Sequence, residues 1–325
     1  MRALDDIDRR ILETLQEDGR VAWATLARTV DVPESTAYRR TSALFEEGRV
    51  RVGVLPTAPS EGVRLYELRL RCRPGRQRDV ARALAARSDT RWVAVVTGEY
   101  GVAAELVVPV GADVAAVIFD DIEQRDDNIL GSQPSMLLHT FKLPSNLMRG
   151  FVYDPDLELK ELADGERALL GVLGEDGRRS YAAVAGEVGI NESTIRRRVR
   201  TLLKTGRASV VTVVHPPSLG IEHEAIIRLD VLPEHLGSVA RQLAKHPGVH
   251  YLAATFGETA LVCEILMRTP GETYELISEV IGKARGITRM TVEVELIVMK
   301  RAFLTTPWTR QAPLELASAA GAAGG

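Results

Sequence analysis

A chain of 325 residues, 45% apolar and 26% charged, is too long for one ordinary core and has the make-up of a globular protein, not of a fibrous or disordered one. Its 41 Lys and Arg against 44 Asp and Glu leave a formal charge of −3, which excludes a global basic field. Any grip on nucleic acid must therefore come from local arginine clusters. Cys72 and Cys263 stand far apart in apolar, strand-like runs, which argues against a disulfide framework or a zinc site and for buried thiols in a reducing cytoplasm. The segment Met1–Asp6 is charged where a signal peptide needs an apolar run, and Val102–Phe119 is broken by Glu105, Pro109 and Asp113, so no membrane association is expected.

The first fifty residues read as three helices. Ile7, Ile11, Leu12 and Leu15 recur at helical spacing, and Gly19 ends that helix. Trp23, Leu26, Ala27 and Val30 mark a second, short helix; Asp31-Val32-Pro33 is a turn. A third helix buries Ala37, Thr41 and Leu44 and stops at Gly48. Two short helices joined by a tight turn predict a helix-turn-helix domain over residues 1–53. The outward face of the third helix offers Ser35, Thr36, Tyr38 and Arg39, with Glu46 and Glu47 opposing them. Between Leu65 and Leu143 the order is strand (Tyr66–Cys72), helix (Arg78–Arg87), strand (Trp92–Thr97), strand (Ala103–Val108), helix (Ala112–Gln124), strand (Met136–Phe141). That is a ferredoxin-like βαββαβ domain, placed at 62–144, with one sheet face under two helices and a bare apolar face that calls for a partner. The acidic run Asp120–Asp127 reads as a solvated face, not a metal site.

A shift of about 158 positions lays Leu4–Val52 on Leu162–Val210 with roughly 20 identities, so the chain is a duplicated two-domain unit. Glu17-Asp18-Gly19-Arg20 meets Glu175-Asp176-Gly177-Arg178, and Glu34-Ser35-Thr36 meets Glu192-Ser193-Thr194. The second helix-turn-helix is expected at 160–212, the second βαββαβ domain at 220–303, and a disordered tail at 304–325. In the second copy Asn191 is a good helix cap and Ile195, Val199 and Leu202 form the inner stripe. The outer face carries Ser193, Thr194, Arg196, Arg197, Arg200 and Lys204. Hydroxyls at the start of a helix and arginines along it suit insertion in a major groove, where they reach phosphates and base edges. Arg40 and Arg198 sit beside buried positions and could equally brace the domain. The fold class is thus α+β: two helix-turn-helix (winged-helix-like) domains alternating with two ferredoxin-like effector domains.

The run Leu4-Asp5-Asp6-Ile7-Asp8-Arg9-Arg10-Ile11-Leu12, then Asp18-Gly19-Arg20, Val32-Pro33-Glu34-Ser35-Thr36 and the Arg40…Leu44…Gly48 spacing, resembles the leucine-responsive regulator (Lrp)/AsnC family of transcription factors. Val214–Gly220 resembles that family's linker to its effector domain. The resemblance spans nearly the whole chain, twice, and implies a covalently fused pseudo-dimer that binds double-stranded DNA, with further homo-oligomers open. It also implies a small effector, such as an amino acid, at the turn after the second strand of each effector domain. By position those turns are Gly98-Glu99-Tyr100-Gly101 and Gly257-Glu258-Thr259-Ala260, the second lacking the family's aromatic residue; a plain hairpin turn explains them as well. No cofactor is implied. Two rival readings stand beside the regulator: a siroheme decarboxylase-like enzyme on the same fold, and a ligand-sensing scaffold without DNA binding. None of the six histidines forms a clear pair with an acid or nucleophile at catalytic spacing, which weighs against the enzyme.

Overall fold

The computed structural model describes residues 4–56, 62–143 and 162–310. The N-terminal unit opens with α1 (Asp6–Glu17), α2 (Trp23–Val30) and α3 (Glu34–Glu46). Asp5 starts α1 with a capping box: its side chain accepts from the Asp8 N–H at 2.9 Å, and Asp8 returns the bond. The turn into α3 needs a left-handed residue, and Asp31 takes it at φ 58°. The second copy builds α6 (Asp164–Glu175), α7 (Tyr181–Val188) and α8 (Glu192–Lys204), with Gly189 at φ 69° in that same corner. Asn191 caps α8 by accepting from the Thr194 N–H at 2.9 Å. Ala37, Thr41 and Leu44 of α3, and Ile195, Val199 and Leu202 of α8, are the buried stripes, as their spacing predicts.

Each helix-turn-helix is followed by a strand, β1 (Val50–Pro56) or β6 (Ala208–Val214), and these two pair antiparallel from Val50↔Val214 to Pro56↔Ala208. The ribbon joins the two helix-turn-helix units: α1 packs on β6 and α6 on β1.

The first βαββαβ unit comprises β2 (Val63–Cys72), α4 (Gln77–Ala86), β3 (Thr90–Val96), β4 (Val102–Pro109), the π-helical α5 (Ala116–Glu123) and β5 (Ile129–Lys142). The second comprises β7 (His223–Val231), α9 (Leu236–Ala244), β8 (Val249–Phe256), β9 (Leu261–Met267), α10 (Pro270–Glu275, continuing in wider turns over Leu276–Ile281) and β10 (Ile287–Arg301). The strand orders are β5-β2-β4-β3 and β10-β7-β9-β8, and the seams β5–β8 and β3–β10 close them into one eight-stranded antiparallel barrel. Long last strands make the closure. β5 pairs with its own unit up to Met136 and with β8 from Met136 to Lys142; β10 leaves β7 at Val294 and meets β3 from Glu295 to Lys300.

Outside the barrel wall, Leu68, Leu70, Val93, Val95, Ala104 and Leu106 pack under one pair of helices, and Ile227, Leu229, Leu252, Cys263 and Ile265 under the other. Both cysteines are buried free thiols, and burial pushes Cys72 up to about 11 and Cys263 to about 12. The inward face corrects an expectation. The second copy is its partner, through the two seams, but the face is not purely apolar: Trp92, Ala94, Ile226, Tyr251 and Val262 share it with a dense set of charged side chains. The expected tail is also shorter than the sequence suggests. Leu304–Thr305 form β11 on the end of β10, and Leu304 sits with Ala302, Val211 and Val213 against the ribbon. Arg51 fixes this segment by donating to the Thr305 carbonyl at 2.9 Å. Leu304, an apolar anchor that fits beside Gly53, orders the start of this stretch. Residues 311–325 lie outside the described residues.

Candidate nucleic-acid interface and effector turns

The two third helices present unlike faces. On α3, Ser35, Tyr38 and Arg39 are exposed and Thr36 is half-buried; the Tyr38 ring stands edge-on to Trp23 at 5.0 Å. On α8, Ser193, Arg196, Arg197, Arg200 and Lys204 are exposed and Thr194 is half-buried. Arg196 donates to Glu192 at 2.5 Å and lies 5.2 Å above the Tyr181 ring. The aromatic pair of the first unit is thus replaced in the second by an aromatic–guanidinium pair at the same positions.

Arg40 braces. Its guanidinium donates to Asp5 at 2.6 Å and Asp8 at 3.1 Å, tying α3 to the start of α1; the Asp8 N–H and Arg40 together hold the Asp5 carboxyl below its ordinary range. Arg198 lies against the start of α6 near Gly165 and Glu166. Burial opposes ionisation of Glu166, yet the Ala163 N–H and Arg207, at 2.8 Å, pull its pKa down.

What sequence reading missed is the lock between the two helix-turn-helix units. Arg178 donates to the Gly19 carbonyl at 2.8 Å and the Val21 carbonyl at 3.0 Å and lies 4.1 Å over the Trp23 ring. Arg20 donates in turn to the Gly177 carbonyl and lies 4.7 Å over Tyr181. Burial first, and Arg20 second, push Arg178 down to about 10. The repeated Glu-Asp-Gly-Arg tetrapeptides are therefore reciprocal contact points as well as helix stops. Their identity in both copies was the available signal.

The two turns proposed from sequence for an effector differ from each other. Gly98, at φ 101°, allows the β3–β4 turn; Glu99 is exposed, 3.7 Å from Arg71. Tyr100 lies under the Arg69 guanidinium at 4.4 Å. From the other unit, Glu258 accepts from the same Arg69 and stands 3.5 Å from Arg289; against the cost of burial these two cations hold its carboxyl low. Arg69 thus brings Tyr100 and Glu258 together, whereas Glu99 stays with Arg71. Gly257, Glu258 and Thr259 line an open groove of about 320 Å³ beside Asp230 and the exposed Phe256.

Between the turns and the ribbon, the barrel interior holds ion pairs that the sequence reading did not foresee. Arg228, 1% exposed, donates to both Glu67 oxygens at 2.7 and 2.6 Å and to Glu293 at 3.0 Å. Arg91 donates to Glu105 at 2.7 Å; burial raises the Glu105 pKa even so. The cavity left at that end is only about 50 Å³. Among the described residues no His, Cys, Asp or Glu side chains are grouped to hold a metal ion, and no helix is long and apolar enough to cross a membrane.

Known proteins resemble this chain in both parts. Residues 4–44 and 165–203 each match the AsnC-type helix-turn-helix domain, and residues 215–306 match a C-terminal dimeric alpha+beta barrel domain. An uncharacterized HTH-type transcriptional regulator of Pyrococcus furiosus is 32% identical over 136 residues, 42% of this chain and 92% of the relative. The HTH-type transcriptional regulator LrpA of Pyrococcus horikoshii is 29% identical, over 42% of this chain and 96% of its own. Each relative is thus matched almost end to end by about two-fifths of this chain. Among solved structures, the siroheme decarboxylase NirDL, in complex with an iron-uroporphyrin III analogue, superposes with a TM-score of 0.61 over 94% of this chain and 98% of its own. At 15% identity that likeness is one of fold.

Proposed function

Because the chain belongs to the Lrp/AsnC family of helix-turn-helix transcriptional regulators, we propose that it reads two adjacent half-sites of duplex DNA with α3 and α8. Residues 1–53 and 160–212 make the DNA contacts, and residues 62–144 and 220–303 form the effector-responsive barrel. The observation that carries this reading is the reciprocal Arg20/Arg178 lock, which gives two outward-facing third helices one fixed spacing. Ser35, Thr36, Tyr38 and Arg39 meet one half-site; Ser193, Thr194, Arg196, Arg197 and Arg200 meet the other. Electrostatic affinity is concentrated in the second unit, since Arg197, Arg200 and Lys204 are exposed there. The operator is accordingly an imperfect palindrome.

A small effector, an amino acid being the family's usual type, is assigned to the turns Gly98–Tyr100 and Gly257–Thr259. The groove beside Glu258 favours the second, where Arg289 bridges Glu258 and Asp230 and an effector's ammonium group would take its place between the two carboxylates. We assign the chain no catalytic role and place it in the cytoplasm. The barrel cavity of about 50 Å³ is far below the roughly 300–1,000 Å³ of ordinary ligand pockets, and paired charges fill the rest. Homo-oligomers of the fused pair remain compatible with this reading.

The test is retention of genomic duplex fragments at rising salt. Log affinity should fall linearly with log salt concentration. The double variant Arg196→Ala/Arg197→Ala should lose about 2–4 kcal/mol, roughly 30- to 1,000-fold, with a shallower salt slope. Unchanged sequence-selective retention by that variant would remove α8 as the reading helix.

A further inference from the structure

Arg301, the last residue of β10, serves three carboxylates from three strands. It donates to Glu224 of β7 at 2.9 Å and Glu264 of β9 at 2.8 Å, and stands 3.9 Å from Glu295 on its own strand. The Glu295 side chain is 0% exposed, and among the described residues neither of its oxygens has a hydrogen-bond partner that meets ordinary geometry. Trp92 of β3 is its other polar neighbour. One guanidinium cannot neutralise three ionised carboxylates grouped around a side chain sealed from water, so the trio keeps a proton above the ordinary carboxylate range. Glu295, the most enclosed and the farthest from Arg301, is where it sits. His250, which borders the same compartment, is held neutral: burial, then Arg301 and Lys142, push it down to about 3.

Arg301 is also the root of the strap that reaches the helix-turn-helix pair. Ala302 and Phe303, at φ 51° and 66°, are consecutive non-glycine residues in the left-handed region, a turn held by its surroundings. After it, Leu304 enters the ribbon cluster with Val211 and Val213, Thr305 receives Arg51, and Trp308 lies 5.1 Å from the His215 ring. Cavities of about 50 and about 40 Å³ flank the turn, both bounded by His250, Arg301 and Ala302, so the Arg301 side chain has room to shift.

We propose that the Glu224–Glu264–Glu295 trio is a proton-binding site whose charge state passes through Arg301 and the Ala302–Trp308 strap to the paired DNA-binding units. Only the last step rests on the regulator reading. With the proton on, Arg301 is shared by two ionised carboxylates, Glu224 and Glu264, and the group as a whole carries one net negative charge. With it off, the added repulsion draws on Arg301, and the turn it roots moves with it. Burial, reinforced by Glu264, raises the Glu295 pKa well above the ordinary range, against the pull of Arg301. A raised folded-state pKa gives stability that is complete below about 4.5 and is lost as pH rises through the folded value.

The experiment uses the full chain at constant ionic strength from pH 5 to 9. It reads the thermal midpoint, the tryptophan emission that Trp308→Phe removes, and retention of a duplex fragment selected by the wild-type chain. Expected for the wild type is a midpoint that falls with pH relative to Glu295→Gln. A Trp308 transition and a change in DNA affinity on the order of tenfold should accompany it over the same interval. The isosteric Glu295→Gln should hold the low-pH emission throughout. Glu224→Gln, which removes a repelling neighbour, should shift the wild-type transition to lower pH. Identical pH profiles in wild type and Glu295→Gln, or a Trp308 transition with pH-independent DNA affinity, overturn the proposal. DNA retention absent at every pH overturns the regulator reading instead, and the first two readouts then still decide the proton site.

Discussion

Replacing Arg228 with leucine is expected to cost about 3–5 kcal/mol of unfolding free energy, the effect of leaving a buried charge without its partner. Arg228 sits on β7 of the second unit, and two of its three close bonds reach Glu67 on β2 of the first; the third goes to Glu293 on β10. Without it, Glu67 and Glu293, 5% and 6% exposed, face each other with only Arg69, 3.6 Å from Glu293, as a remaining cation. They must ionise against repulsion or take up protons. The defect should therefore be largest at high pH and shrink as pH falls, because protonation removes the unpaired charges. Neutralising the partners as well, in Arg228→Leu/Glu67→Gln/Glu293→Gln, should recover much of the loss, since what destabilises is the orphaned charge rather than the missing attraction. Denaturant titration at two pH values measures both. A wild-type midpoint for Arg228→Leu at pH 8 would mean that the two half-barrels are not held by this side chain.

The second large effect falls on DNA binding and comes from a residue with no side chain. A Cβ on Gly177 would stand 2.9 Å from both the Cα and the carbonyl carbon of Gly53 and 2.8 Å from Val52. Two of those atoms are backbone, so the β1–β6 ribbon must give way. The Gly177 N–H also donates to the Val52 carbonyl at 2.8 Å, and its own carbonyl receives Arg20. Gly177→Val should therefore push the two helix-turn-helix units apart at the point that sets their spacing. Leu169, Leu173, Ile195 and Val199 hold the helical part of the second core, while Val54 of β1 also packs there, so a moderate loss of stability accompanies the shift. The expected result is a folded protein whose affinity for a two-half-site operator falls about 10²–10⁴-fold while its hold on a single half-site is little changed, because linked binding is lost when geometry forbids simultaneous engagement. Circular dichroism and retention on operators of altered half-site spacing give the two readouts. Equal loss on single and double sites would point to local unfolding instead.

These two residues also mark where the sequence was readable and where it was not. Helical periods placed Ile11, Leu15, Ala37, Leu44, Ile195 and Leu202 in their cores because a helix is a local object, decided by neighbours three and four positions away. The strand alternation around Leu68 and Leu70 was equally visible. The fate of the other face, Glu67 and Arg69, was not. Whether such residues meet water or each other depends on edges that pair 120 or more positions apart, as Met136 does with Phe256. Long-range closure leaves no local mark beyond the length of β5, read from Met136 when it begins at Ile129. The candidate DNA residues were nearly all found on the exposed side of their helices; Thr36 and Thr194 are half-buried. The candidate effector turns were picked out by likeness alone, and their unequal partners, Arg71 for Glu99 and Arg69 for Glu258, came only with the three-dimensional arrangement.

Both seams of the barrel lie within one polypeptide, and dilution cannot part them. An association between separate subunits weakens as the protein becomes scarce, whereas here the complete pair is present in every single molecule. Separate coding has a second effect. In a symmetric pair every substitution appears twice, so the two readers must change together; in this chain Trp23 and Tyr38 can face Tyr181 and Arg196 as unlike counterparts. Each half of the address can drift toward its own sequence while the other keeps hold of the site.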